Sequence, residues 1–171
     1  KAVHALEEGL ADRARQIVTE AAARGGVGDF VHDVAVELPL QAIADLLGVP
    51  QEDRQKLFSW SNAMMNYDDP EFADDGQIAA AEILGYAYQM AEARKACPMH
   101  DIVTELVHAD MDGLALDEIE FGYFFIMLTV AGNETTRNAI SRGMDAFLDH
   151  PDQWELFKRE RPTTTADEIV R

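Results

Sequence analysis

The sequence predicts an all-α chain, and three observations carry that expectation. Apolar residues recur at spacings of three and four along most of its length. No segment alternates apolar and polar residues strongly enough to read as a strand. The breaks between periodic segments hold the glycines, prolines and acidic residues that start and stop helices. No internal repeat or low-complexity tract interrupts the pattern.

Val3, Leu6, Leu10, Ala14, Ile17, Val18 and Ala21 put one apolar face on a helix over 2–24, ended by Gly25-Gly26. Gly28-Asp29 leads into a second element carrying Val34, Leu38, Ile43, Leu46 and Leu47, with Pro39 early in it. Gly48 suits its C-terminus, because glycine takes the left-handed conformation without strain, and Pro50 blocks continuation. Residues 51–65 form a third helix, with Glu52 and Asp53 at the positive end of its dipole. The stretch Asn66-Tyr67-Asp68-Asp69-Pro70 is rich in turn formers.

A long helix follows over 75–95, carrying Ile78, Ile83, Leu84, Tyr86, Tyr88 and Met90. Pro98 separates it from a short helix over 101–109 that turns Ile102, Val103, Leu106 and Val107 inward. Asp110-Met111-Asp112-Gly113 is a turn. Asp117 then caps the central helix, and Glu120 three residues on completes a capping-box pattern. This helix extends to about 149, roughly 50 Å at the α-helical rise. Pro151 suits the first turn of the next helix, whose apolar face is Trp154, Leu156 and Phe157. Thr165 with Glu168 repeats the capping pattern at a final helix.

With 171 residues, 47% hydrophobic and 27% charged, the chain has the size and composition of one globular domain. Its net charge of −18, from 14 basic and 32 acidic residues, disfavours nucleic acid and anionic membrane as partners. The lone Cys97 excludes an intramolecular disulfide and fits a reducing compartment. No signal peptide is visible, and the longest uncharged apolar run, 121–132, falls short of the roughly 20 residues that cross a bilayer. A cytoplasmic protein is expected. The missing initiator Met, and a last residue in the first turn of a helix, predict truncation at both ends.

The central helix holds the anomaly. Phe121 to Val130 is apolar on every side, the pattern of a buried helix. Ala131-Gly132-Asn133-Glu134-Thr135-Thr136 then sets a glycine, a carboxylate and two hydroxyls into that dry surrounding. Glycine inside a helix costs about 1 kcal/mol against alanine. Here Gly132 beside Ala131 opens a gap for another backbone or a flat ligand. Thr135 can turn its hydroxyl onto the Ala131 carbonyl one turn back. A buried Glu134 needs a partner or a shifted pKa. Close helix packing around a satisfied carboxylate explains each residue singly but not the whole string.

That string resembles the oxygen-activation motif in the long distal (I) helix of cytochrome P450 monooxygenases. The resemblance implies a partial P450 fold with residues 1–171 as the central helical part of a single domain, from the D helix to the start of the K helix. It places the family's acid on Glu134 and its alcohol on Thr135, the two catalytic residues that relay protons to iron-bound oxygen. It sets Ala131, Gly132 and Thr135 against a b-type haem with O2 as co-substrate. Val130 and Ala131 become the substrate-facing residues, and Met127 reads as ordinary helix core. Glu168-Ile169-Val170-Arg171 resembles the structural Glu-x-x-Arg signature. Such a pair arises easily by chance, and Glu134 with Arg137 forms a second one, so its weight comes from its place behind the helix that starts at Pro151.

Ala44-Asp45-Leu46-Leu47-Gly48-Val49-Pro50 resembles a helix end common in bacterial members, and Asp101-Ile102-Val103, Leu106 and Asp112-Gly113 fit the approach to the distal helix. Segments 41–54, 131–138 and 150–158 are most similar to actinobacterial steroid members, which hydroxylate the terminal side-chain carbon of cholesterol or cholest-4-en-3-one. A steroid or other hydrophobic small molecule is the implied substrate, and ferredoxin with ferredoxin reductase the implied electron donors. The family's haem ligand is a cysteine in a Phe-x-x-Gly-x-x-x-Cys-x-Gly loop, which is absent here. Cys97, in Lys95-Ala96-Cys97-Pro98-Met99, has no such frame and precedes the distal helix. No metal ligand is therefore expected in this chain, and by itself it is expected to be inactive. Two rival readings are a di-iron bundle, for which Glu105-x-x-His108 supplies only one of two required pairs, and a non-catalytic helical interaction module or degenerate family fragment.

Overall fold

The computed structural model describes residues 2–25, 27–66, 75–109 and 116–171, with side chains from Gly9 onward. The turns expected at 67–70 and 110–113, the expected apolar positions Val3 and Leu6, and Gly26 lie outside what is described. Every regular element among the described residues is helical: α1 (Ala2–Ala23), α2 (Glu37–Leu47), α3 (Arg54–Met65), α4 (Asp75–Ala96), α5 (Ile102–Val107), α6 (Glu118–Asp149), α7 (Pro151–Glu160) and α8 (Thr165–Ile169). No helix among the described residues is long and apolar enough to cross a membrane.

Two starts differ from expectation. A π-turn over Val31–Ala35 runs into α2 through Val36, which keeps helical dihedrals. Pro39 supplies no N–H for the carbonyl four residues back, and the turn before it is widened, with Val36 N bonding to Val31 O at 3.0 Å. The third segment opens as a 3-10 turn, Gln51–Asp53, before α3 begins. At the other end, α8 is only five residues long, and no side chain caps it. Thr165 instead donates its hydroxyl to Pro162 O at 2.8 Å, so the capping pattern expected of Thr165 and Glu168 does not form.

The core gathers one face from each of five helices: Leu40, Ala44 and Leu47 of α2, Leu57 of α3, Ile83, Ala87 and Met90 of α4, Val103 of α5, and Phe121 and Phe125 of α6. Ile102, Leu106 and Val107 pack against it as the short helix predicts. A chain of tilted rings, Trp60, Tyr86 and Phe125, crosses α3, α4 and α6 at centroid spacings of 5.8 and 6.4 Å. Burial, then its hydrogen bond to Asp53, pushes the Tyr86 phenol well above its ordinary value. A second aromatic group, Phe147, Trp154 and Phe157, fastens α7 to the end of α6.

Three helix ends meet at Gly48. Its φ of 73° is the left-handed cap that the sequence predicts for α2, and a Cβ there would fall 2.5 Å from Asp101 Cγ. Arg94 near the end of α4 donates to Gly48 O at 2.8 Å and to Asp101 Oδ2 at 2.5 Å. Asp101 caps α5 by accepting from Thr104 N at 2.8 Å. Burial alone would raise the Asp101 carboxyl, but the Thr104 N–H and the Arg94 guanidinium outweigh it and hold it below the usual range.

The central rod is α6, with 32 residues, held at its start by the expected capping box between Asp117 and Glu120. Three glycines let other helices approach it closely. A Cβ on Gly122 would meet Leu84 of α4, one on Gly132 would meet Ile43 of α2, and one on Gly143 would meet Ile169 of α8. The expectation that α6 is apolar all round because it is buried all round does not hold. Tyr123 is 66% exposed and Met127 53%.

Candidate functional site: the open face of α6

Successive residues on an α-helix turn by about 100°, so positions four apart share a face. Each step of four also advances about 40° round the axis, so Tyr123, Met127, Ala131 and Thr135 form a ridge that winds round α6, and all four are exposed, continuing the exposed Ile119 at the helix start. The row is uncharged and apolar until it reaches Thr135. Phe121, Phe125, Thr129 and Asn133 occupy the opposed, buried side. The motif residues are therefore divided by the helix itself.

Ala131 and Thr135 lie on the open row. Thr135 Oγ1 donates to Ala131 O at 2.7 Å, the bond its position predicts. Gly132 does not share that face, since the space its missing side chain leaves is filled by Ile43 Cδ1, 2.6 Å from where a Cβ would sit. Of the two occupants expected for the gap at Gly132, another backbone or a flat ligand, the close approach is that of α2 through Ile43. Val130 is half-buried and packs against the core, whereas Met127, expected as core, stands on the open row. The expectation for Met127 is corrected by the direction in which α6 is rotated, while Val130 lies about 60° round the helix from it and stays partly exposed.

Glu134 stands on the flank, with its side chain 20% exposed. It is paired with the Arg137 guanidinium, and its Oε1 accepts from Asn138 Nδ2 at 2.9 Å. It makes no hydrogen bond to Thr135 among the described contacts. Arg137 donates its other nitrogen to Asn62 Oδ1 of α3 at 2.9 Å. Arg137 and Asn62 are functional candidates that reading the sequence missed. The Glu-x-x-Arg spacing of Glu134 and Arg137 was the available signal, because i,i+3 places them side by side. The pair Glu168–Arg171 is also joined, at 3.3 Å, but both side chains are more than half exposed.

Asn133 on the packed side of α6 and Ser61 of α3 are both buried, and each holds a side-chain oxygen without a protein partner. Among the described residues no three His, Cys, Asp or Glu side chains gather as a metal site. Cys97 is exposed beyond the end of α4, off the row altogether. What the open face presents is a strip for a flat apolar group, small at Ala131, with one hydroxyl over it and a carboxylate held at its edge.

No protein-family model matches the chain. Its whole length is 67% identical, over 171 residues, to a curated protein of Rhodococcus jostii named steroid C26-monooxygenase, of which it covers 36%. It is 39% identical over 180 residues to the methyl-branched lipid omega-hydroxylase of Mycobacterium bovis, covering all of this chain and 42% of that protein. Among solved structures, a Mycobacterium marinum cytochrome P450 in complex with pseudoionone superposes at a TM-score of 0.84 and 30% identity, over 92% of this chain and 40% of that one. The chain thus spans roughly two fifths of the length of these relatives.

Proposed function

Because the chain belongs to the cytochrome P450 family, we propose that the protein containing it is a haem-thiolate monooxygenase and that residues 1–171 are the central helical part of its single domain. Its substrate is hydrophobic, and we assign the side chain of cholesterol or cholest-4-en-3-one. The 67% identity to a protein named steroid C26-monooxygenase supports that choice. Ferredoxin and ferredoxin reductase supply electrons, and the location is cytoplasmic. The observation that carries the proposal is the Thr135 hydroxyl on an open, uncharged strip of α6, one turn beyond the small Ala131.

The residues present fit one side of a haem. Ala131 and Thr135 would lie against it, with Met127 continuing the apolar strip, while Gly132 contributes by admitting Ile43 behind α6. They supply no thiolate ligand for it, which we place outside this chain. Bound there, the haem supplies dioxygen activation and C–H oxidation. Tyr123 and Met127, with Ile119, offer apolar contact to substrate, and the partly buried Val130 stands beside them. Thr135 Oγ1 holds a hydrogen-bond position on the face and donates its proton there on turning from Ala131 O. Glu134 restores that proton as a general acid. To do so it must rotate off Arg137 or reach Thr135 through water, since both of its oxygens are engaged. Glu168 and Arg171 are assigned a structural role in holding the haem-binding core.

The test is made on the full-length protein. The ferrous–carbonyl spectrum should show thiolate ligation and keep it in Cys97→Ala. Thr135→Ala should leave oxygen consumption running while product per oxygen falls by on the order of 100-fold, the lower end of general-acid effects. Unchanged coupling would remove Thr135 from the relay.

A further inference from the structure

Arg137 plays no part in the relay as so far described, yet its surroundings are specific. One guanidinium nitrogen pairs with Glu134 Oε2, and the other donates to Asn62 Oδ1 at 2.9 Å. The Arg137 and Glu134 side chains keep only 16% and 20% of their exposure, so solvent screens this pair less than it screens surface pairs. Asn62 belongs to α3, 75 residues earlier in the chain. A planar guanidinium holds two acceptors at fixed angles, which a single ammonium does less well. The acid on the edge of the open face is thereby tied to a neighbouring helix through one side chain.

We propose that Arg137 is a positioning residue for Glu134, and that Asn62 fixes the guanidinium so that the hold on the carboxylate depends on how α3 lies against α6. The inference rests on the reading of Glu134 as the acid that reloads Thr135. While Arg137 and Asn138 occupy its two oxygens, Glu134 cannot meet Thr135, whose own hydroxyl is turned to Ala131 O. Loss of the Arg137 contact frees Oε2. A proton taken there from water then passes to Thr135 Oγ1 as the hydroxyl proton leaves toward the open face, and the carboxylate returns to Arg137. Atoms and charge balance: one proton enters from solvent, and one leaves at Thr135. The hold keeps proton delivery from running ahead of substrate oxidation.

Two measurements on the haem-loaded full-length protein test this. In the first, Arg137→Gln should lower product per oxygen by up to about 100-fold, the scale of misplacing a reacting group. Substrate affinity should stay unchanged, and Arg137→Lys should recover part of the loss. The same change in a Glu134→Gln background should add little, because Arg137 acts through that carboxylate. In the second, unfolding midpoints of Asn62→Ala and Glu134→Gln should be non-additive when Arg137 is present and additive in Arg137→Gln. Additive midpoints with Arg137 in place overturn the link directly. An equal loss of coupling from Arg137→Gln with and without Glu134 reduces Arg137 to a structural role. Glu134→Gln with normal product per oxygen takes the acid out of the relay, and the inference then fails through its premise rather than its geometry.

Discussion

Thr129 and Thr135 lie on the same helix and make the same bond. Each donates its hydroxyl to the carbonyl one turn back, Thr129 to Phe125 O at 2.8 Å and Thr135 to Ala131 O at 2.7 Å. Thr129 is 1% exposed among core residues, and Thr135 stands on the open row. Six residues turn the helix by about 600°, which leaves the two side chains on different sides. On the packed side, the back-bond satisfies a hydroxyl that has no other partner, and breaking it serves nothing. On the open side, the same bond is a resting place that the hydroxyl can leave. Surroundings, not the bond, separate structure from chemistry here.

Substitutions can break or sharpen that contrast. The largest effect belongs to the packed side: Phe125→Ala should destabilise the full protein by about 3–5 kcal/mol in chemical denaturation, while product per oxygen of the folded fraction stays near normal. Asp101→Asn should follow at about 3 kcal/mol, because it leaves the largely buried Arg94 guanidinium without its counter-ion. Its pH dependence has a definite sign. The folded Asp101 carboxyl lies below its ordinary value, so its contribution is complete above about pH 4 and fades as pH falls through the lower folded value. The stability gap between wild type and Asp101→Asn should therefore narrow in acid, and a gap that widens would contradict the pairing.

The two threonines come next. Thr129→Ala should cost about 1 kcal/mol, the scale of one buried hydrogen bond, with coupling unaffected. Thr135→Ala should cost under about 0.5 kcal/mol, as for an exposed position, and yet show the loss of coupling. Equal stability costs at the two positions would erase the contrast, as would a coupling defect in Thr129→Ala.

Local signals were legible in the sequence and remote ones were not. Asp117 with Glu120, Gly48 before Pro50, and Pro151 all act within a turn of where they stand, and each marks the boundary expected of it. The Thr135 back-bond was legible for the same reason. The rotation of α6 was not, because Phe121 to Val130 is apolar in every direction and no polar residue marks the side that stays open. Hence Met127 was expected in the core, and the gap at Gly132 stayed open between another backbone and a flat ligand, where Ile43 of α2 fills it. The partner of Glu134 was half legible. Arg137 is three residues away, but Asn62, which gives that pair its link to α3, is reached only through the tertiary fold.

The three glycines of α6 bear on motion. Gly122, Gly132 and Gly143 are spaced ten and eleven residues apart, each close to three turns. Sliding α6 along its axis by one turn, about 5.4 Å, would replace a glycine by a side chain four residues away: Ile126 or Glu118 against Leu84, Thr136 or Leu128 against Ile43, Phe147 or Ala139 against Ile169. All three crossings would clash together in either direction. The helix is indexed like a notched rod, free to turn its side chains but not to travel. The height of Thr135 along that axis is thereby fixed by contacts with α2, α4 and α8 at three glycines, not by anything Thr135 itself touches.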